Sequence, residues 1–151
     1  MSYQQNITEE VETLQIAAKL ANNLASGMII YLHGPLGAGK TTFTRGFLRA
    51  LGLLEKVKSP TYTLIESYEI NQKKIFHFDL YRLRDAEELI YIGVKDYFTS
   101  DSICLIEWPE KGGTFLPKPD LDCYIDMRGN ARTIRIEACS PLGESILQKL
   151  S

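Results

Sequence analysis

Apolar and polar positions alternate along the chain in two periods, and the switches between them mark its elements. Val11, Leu14, Ala17, Ala18, Ala21, Leu24 and Ala25 recur at helical spacing. Thr8, followed by Glu9 and Glu10, is placed to cap that helix, and Ser26-Gly27 to stop it. Met28 to Leu32 is a short apolar run that reads as a buried strand. A second helical pattern with Phe43, Phe47, Leu48 and Leu51 runs to Gly52. Thr61 to Ile70 and Lys73 to Leu80 are rich in β-formers and flank the turn candidate Asn71-Gln72, which predicts an antiparallel hairpin. Asp85 and Glu88 have capping-box spacing for a short helix to about Ile92. Ser102 to Trp108 is another buried strand, and Asp122 to Met127 and Arg132 to Ala138 pair around Gly129-Asn130. Pro141 to Leu150 forms a closing helix. Strands separated by helices, with hairpins added, predict one α/β domain over residues 1–151 with a mixed sheet.

Between the first strand and the second helix lies the chemistry. Gly34-Pro35-Leu36-Gly37-Ala38-Gly39-Lys40-Thr41 fits the phosphate-loop pattern of glycine, four residues, glycine, lysine and threonine. A strand before it and a helix after it are what the motif needs, and they make the architecture a P-loop NTPase-like three-layer sandwich. Glycines let successive N–H groups turn in around an anion, where side chains at Gly37 or Gly39 would block the approach. The helix start adds its positive end. Lys40 is then placed for the outer phosphates and the Thr41 hydroxyl for magnesium. The chain is read as binding a nucleoside triphosphate.

A magnesium shell also needs a carboxylate at the open end of a neighbouring strand. Ile103-Cys104-Leu105-Ile106-Glu107 supplies four apolar residues and then an acid, glutamate where aspartate is usual. Trp108 suits either a base or partner contact or the edge of the core. Ser59-Pro60-Thr61-Tyr62-Thr63 is either a loop over the triphosphate, with the Thr61 hydroxyl near magnesium or the γ-phosphate, or a proline turn into a strand. His77-Phe78-Asp79-Leu80-Tyr81-Arg82 alternates, so His77, Asp79 and Tyr81 share a strand face, from which Asp79 can orient or deprotonate a water.

Composition narrows this picture. The net charge of −2 offers no polycation to hold nucleic acid unaided. No apolar stretch approaches the roughly 18 residues of a membrane span, and MSYQQNITEE has no signal-peptide character, so a cytoplasmic protein without membrane contact is expected. Cys104, Cys123 and Cys139 read as small reduced core residues, and His33 and His77 are too scattered for a zinc site.

The four motifs in this order, GPLGAGKTT, SPTYTL, HFDLYR and IEWPEK, closely resemble the bacterial TsaE (YjeE) family, from Thr8 to about Ala138. Those proteins are small ATPases of the pathway that makes threonylcarbamoyladenosine beside the anticodon of tRNAs. The resemblance implies ATP and magnesium as cofactors and weak hydrolysis by the isolated chain. It also implies work with the TsaB–TsaD pair, with tRNA contacted indirectly. It places Gly34 and Leu36 in the loop and Gly37, Ala38, Gly39, Lys40, Thr41 and Thr42 on phosphates, with Thr41 and Glu107 on magnesium. Asp79 falls near the γ-phosphate and Thr61 in a switch-like loop, while Thr8, Glu110 and Arg132 match positions lining the nucleotide. Pro35 stands where many relatives have aspartate.

Two other readings share the loop. A small-molecule kinase needs an acceptor pocket and an arginine-rich lid, for which Arg82 and Arg84 are the nearest approach. A GTP-dependent switch would carry the N-K-x-D guanine motif, which this chain lacks.

Overall fold

A computed structural model describes residues 1–24 and 27–150. Seven strands form one mixed sheet: β1 (Ser2–Ile7), β2 (Met28–His33), β3 (Ile65–Ile70), β4 (Lys73–Asp79), β5 (Ser102–Glu107), β6 (Leu121–Arg128) and β7 (Ala131–Ala138). Their spatial order is β1-β7-β6-β2-β5-β4-β3. β4, β5, β2 and β6 are mutually parallel and form the middle; the antiparallel partners β3 and β7–β1 lie at the two sides. The phosphate-loop strand β2 is therefore central, with β5 on one flank and β6 on the other. This is the mixed α/β architecture expected.

Helices α1 (Glu10–Asn22), α2 (Lys40–Leu51) and α4 (Pro141–Leu150) share one core with the sheet, in which Leu20, Phe43, Phe47, Leu48 and Leu147 meet Ile30, Leu32, Leu105 and Ile134. A second core joins Phe78, Cys104 and Ile106 to Leu83, Leu89 and Leu116, which come from α3 (Glu88–Tyr91) and the segments around it. Strands β2, β4 and β5 thus alternate between two apolar layers, whereas β6 and β7 contribute only to the first. That explains why β5, buried at every position, reads as an unbroken apolar run.

Several boundaries differ from the sequence reading. β1 was not expected, because Ser2-Tyr3-Gln4-Gln5-Asn6 has almost no apolar signal. It forms because β7 offers it a full ladder, and Tyr3 and Ile7 supply its apolar contacts with the core. The cap of α1 is Glu9, not Thr8. Glu12 reaches back to accept from the Thr8 and Glu9 N–H groups at 3.0 Å each, and from the Thr8 hydroxyl at 2.6 Å. The Thr8 hydroxyl is thereby spent as a donor. Of the α1 pattern, Ala25 and the stop residue Ser26 lie outside the described residues.

β3 begins at Ile65 rather than Thr61, because Leu64 has φ 67° and its N–H closes a turn on the Pro60 carbonyl at 2.8 Å. β4 ends at Asp79, so Tyr81 stands beyond the strand and not on the His77 face. Asn71 and Gln72, at φ 51° and 70°, make the expected tight hairpin turn. The helix expected up to Ile92 shrinks to one turn followed by a 3₁₀ turn at Val94–Tyr97. Cys104 and Cys123 are buried thiols, but Cys139 is exposed and belongs to neither core.

Candidate functional site

The carboxyl ends of β2, β4 and β5 open into a cavity of about 460 Å³. The loop after β2 forms its floor. Gly37 and Gly39 have φ of 80° and 115°, a region that L side chains avoid, so glycine is demanded here by backbone conformation. An added Cβ at Gly37 would meet no protein atom within 4 Å, so sterics within the protein do not demand glycine there. Gly39 is the N-cap of α2, whose first residues Lys40, Thr41 and Thr42 line the cavity with the helix's positive end.

Lys40 is 5% exposed. Its ammonium donates to the Gly34 carbonyl at 2.6 Å and lies 3.9 Å from the centre of the Trp108 ring. Burial lowers its pKa, and the nearby carboxylates of Glu107, Asp79 and Glu110 oppose that fall. The parallel ladder of β4 and β5 sets Asp79 directly opposite Glu107. Glu107 is 5% exposed, and its Oε2 accepts from His77 Nε2 at 2.6 Å, while His77 Nδ1 is buried without a partner. Burial holds the Asp79 carboxyl above the usual carboxylate range. The Tyr81 N–H, donating to it at 3.1 Å, works against burial, Glu107 reinforces it, and His77 and Lys40 pull back. One lysine thus faces two acids across a shared space.

On the other flank Arg132, near the start of β7, reaches the same cavity and donates to the Gly37 carbonyl at 3.2 Å. The loop 58–61 closes the remaining side, with the hydroxyls of Ser59 and Thr61 at 2.7 Å from one another.

Known proteins share this sequence and fold. The family model described as "Threonylcarbamoyl adenosine biosynthesis protein TsaE" matches residues 7–135. The "tRNA threonylcarbamoyladenosine biosynthesis protein TsaE" of Haemophilus influenzae is 48% identical, over 99% of this chain and 98% of its own. The protein of that name from Bacillus subtilis is 37% identical, over 93% of this chain and 88% of its own. The chain belongs to the TsaE family. A crystal structure of Bacillus subtilis YdiB superposes with a TM-score of 0.83 at 31% identity, covering 99% of this chain and 94% of that one.

Set against the residues expected for a TsaE protein, the cavity gathers Leu36, Gly37, Gly39, Lys40, Thr41, Thr42, Thr61, Asp79, Glu107 and Arg132. Gly34 and Ala38 do not line the cavity: half-buried Gly34 gives its carbonyl to Lys40, and the N–H of buried Ala38 is taken by the Pro35 carbonyl at 3.1 Å. Thr8 is bound to Glu12 outside the cavity. Glu110 is exposed on the 3₁₀ turn Pro109–Lys111 and acts on Lys40 only through its charge.

Two contacts escaped the sequence. The bond from His77 to Glu107 needs the β4–β5 register, and the only hint was the His-x-Asp alternation before a strand end. Trp108 is neither at the core centre nor free. It adopts φ 58° just past β5, which turns its ring onto Lys40.

The donors present suit magnesium. A threonine hydroxyl at a helix start and a buried, oriented carboxylate are hard oxygen ligands, and a magnesium nucleotide takes few of these from protein. Among the described residues no group of three or more His, Cys, Asp or Glu forms a metal cluster. No helix among the described residues is long and apolar enough to cross a membrane.

Proposed function

We propose that this chain is a magnesium-dependent ATPase, slow by itself, that serves the threonylcarbamoylation of adenosine beside the anticodon of tRNAs, acting with the TsaB–TsaD pair in the cytoplasm. The observation that carries the ATPase reading is the meeting of Lys40, Asp79 and Glu107 at the mouth of a glycine phosphate loop. The pathway rests on the names of the TsaE relatives.

Phosphates enter at the start of α2, where loop N–H groups and the helix end favour anions. Lys40 then exchanges the Gly34 carbonyl and the Trp108 ring for phosphate oxygens. Thr41 Oγ1 and Glu107 would hold magnesium, which would supply charge neutralisation on the phosphates. His77 fixes one oxygen of Glu107, leaving the other free toward the ion. Asp79, kept more basic than an exposed aspartate, orients a water and accepts its proton as that oxygen bonds to the γ-phosphorus and the bond to ADP breaks. Arg132 stands at the loop on the side away from Asp79 and serves the nucleotide body.

Nothing in this set places a second cation on the γ-phosphate opposite Lys40. Turnover is slow for that reason, and a partner that orders the 59–63 loop or adds charge raises it. Steady-state phosphate release with and without the TsaB–TsaD pair tests the assignment. Stimulation by the pair is expected, blunted in Thr61→Ala while ATP binding persists. Fast turnover by the chain alone, unmoved by the pair, would refute it.

A further inference from the structure

β1 ends the sheet on the side away from β4 and β3, and among the described residues no strand pairs with its outer edge. The Ala138 N–H donates to the Met1 carbonyl at 3.0 Å, which shows which backbone groups of this segment β7 uses. In an antiparallel ladder, opposed residues exchange hydrogen bonds at every second position. With Ser2 opposite Glu137, the bonded positions are therefore Met1, Tyr3, Gln5 and Ile7. Ser2, Gln4 and Asn6 aim their N–H and C=O groups away from β7, and all three residues are exposed.

Such an edge is a template for another strand, and proteins ordinarily guard it with charge, proline or a bulge. The opposite edge strand, β3, carries Glu66 and Glu69. β1 reads Ser-Tyr-Gln-Gln-Asn-Ile, without charge, proline or glycine, and it keeps register with β7 throughout. This edge is also complementary to itself. Set antiparallel against a copy with Gln4 at the centre, it places Gln4 opposite Gln4 and Ser2 opposite Asn6, so every outward N–H and C=O finds a partner. On that face only amides and hydroxyls meet, because the neighbouring charges, Arg135 beside Gln4 and Glu137 beside Ser2, stay one strand back in each copy. On the other face Tyr3 comes opposite Gln5 of the second copy, and exposed Met1 comes opposite its Ile7.

We propose that β1 is a dimerisation strand, through which a second copy of this chain joins edge to edge about a two-fold axis to make one continuous sheet. The match of register and side chains is what selects a second copy, since an unrelated peptide would share only the backbone bonds. The pairing consumes the β1 edge of both copies, so it closes at two. A single strand pair is a small interface, and the dimer is expected to be weak, with a Kd of about 100 µM.

Sedimentation equilibrium of the full chain from about 1 µM to about 1 mM reads the association. The wild-type mass should climb from one chain toward two. Gln4→Pro removes an outward N–H and leaves the β7 ladder whole, a position where a strand accommodates proline. It should weaken association about tenfold or more. Should that variant melt early, Gln4→Glu decides: it faces Arg135 within its own chain but meets its own charge across the axis. It should dissociate the dimer to a similar extent, with recovery in high salt. Ser2→Lys combined with Asn6→Glu brings opposite charges face to face only in this register and should tighten the dimer severalfold. A mass of one chain at every concentration would overturn the proposal, as would growth beyond two. Association unmoved by Gln4→Pro and Gln4→Glu would place the contact elsewhere and overturn it too. A chain that stays single, yet loses affinity for the TsaB–TsaD pair in Gln4→Glu, would assign the edge to another protein and overturn the second copy.

Discussion

Lys40→Met removes one charge from the centre of the proposed site and keeps most of the side-chain volume. A lysine about 4 Å from a phosphate oxygen, at an effective dielectric constant of about 20, contributes about 4 kcal/mol. That is roughly a thousandfold in Kd. With magnesium–ATP at about a hundred times the wild-type Kd, the folded state gains about 2.7 kcal/mol, or roughly 5–10 °C in Tm for a chain of this size. In the variant the same concentration is about a tenth of Kd, so the gain drops below about 0.1 kcal/mol and the shift vanishes. Stability of the empty protein should change little. The Gly34 carbonyl loses its donor, a cost of about 1 kcal/mol, while relief from burying an ammonium offsets it. Thermal melts of both proteins with and without magnesium–ATP give all four values. Equal nucleotide shifts in wild type and variant would refute the phosphate contact and the assignment built on it.

Thr41→Ala and Glu107→Gln should raise the magnesium concentration needed for triphosphate binding more than they weaken metal-free nucleotide binding; overlapping magnesium titrations for Glu107→Gln would pass the ligand role to Asp79. Asp79→Asn should keep ATP affinity and lower hydrolysis on the order of a hundredfold, as for loss of a general base, whereas matching losses in both would make Asp79 part of the metal shell. The same variant should stabilise the empty protein at neutral pH. Burial holds the Asp79 carboxyl above its unfolded value, so its ionisation costs stability as pH rises through that window, and the advantage of asparagine should disappear in acid. Denaturant melts at neutral and acid pH decide this, and an asparagine variant less stable at neutral pH would contradict the sign.

The parts of this molecule that were legible in the chain are those whose signal is local. The phosphate loop, β2 and α2 lie within runs whose own pattern points to them, and the acid ending β5 was singled out only because the phosphate loop stood beside it. The Asn71-Gln72 and Gly129-Asn130 turns were legible because residues tolerant of positive φ sit between β-formers. β1 was not, because a polar edge strand is specified by the neighbour it joins and not by its own residues. The start of β3 was obscured because Thr61, Tyr62 and Thr63 favour strands, yet Pro60 and the left-handed Leu64 fold them into a turn. The pairing of His77 with Glu107 and the seating of Lys40 on Trp108 depend on register across strands far apart in sequence, which no local pattern carries.

That register also divides labour between the two acids. Asp79 and Glu107 face each other on adjacent strand ends, so their charges oppose one another in the empty site, with Lys40 and His77 as the nearby compensation. An ion placed equally between both carboxylates would depress the basicity of each and leave no acceptor for a proton. The asymmetry present avoids this. His77 holds Glu107 by one oxygen in a buried position on the cavity that Thr41 also lines, where a fixed hard ligand is useful. Asp79 carries only the Tyr81 N–H and stays half-exposed, a setting for an acid that must meet water. If magnesium is held by Glu107, the remaining repulsion keeps Asp79 basic enough to act, and the slow turnover proposed above would follow from missing positive charge on the γ-phosphate and not from a missing base. Supplying that charge from outside, on the side where Asp79 and Thr61 stand, is the step that would make the chain fast.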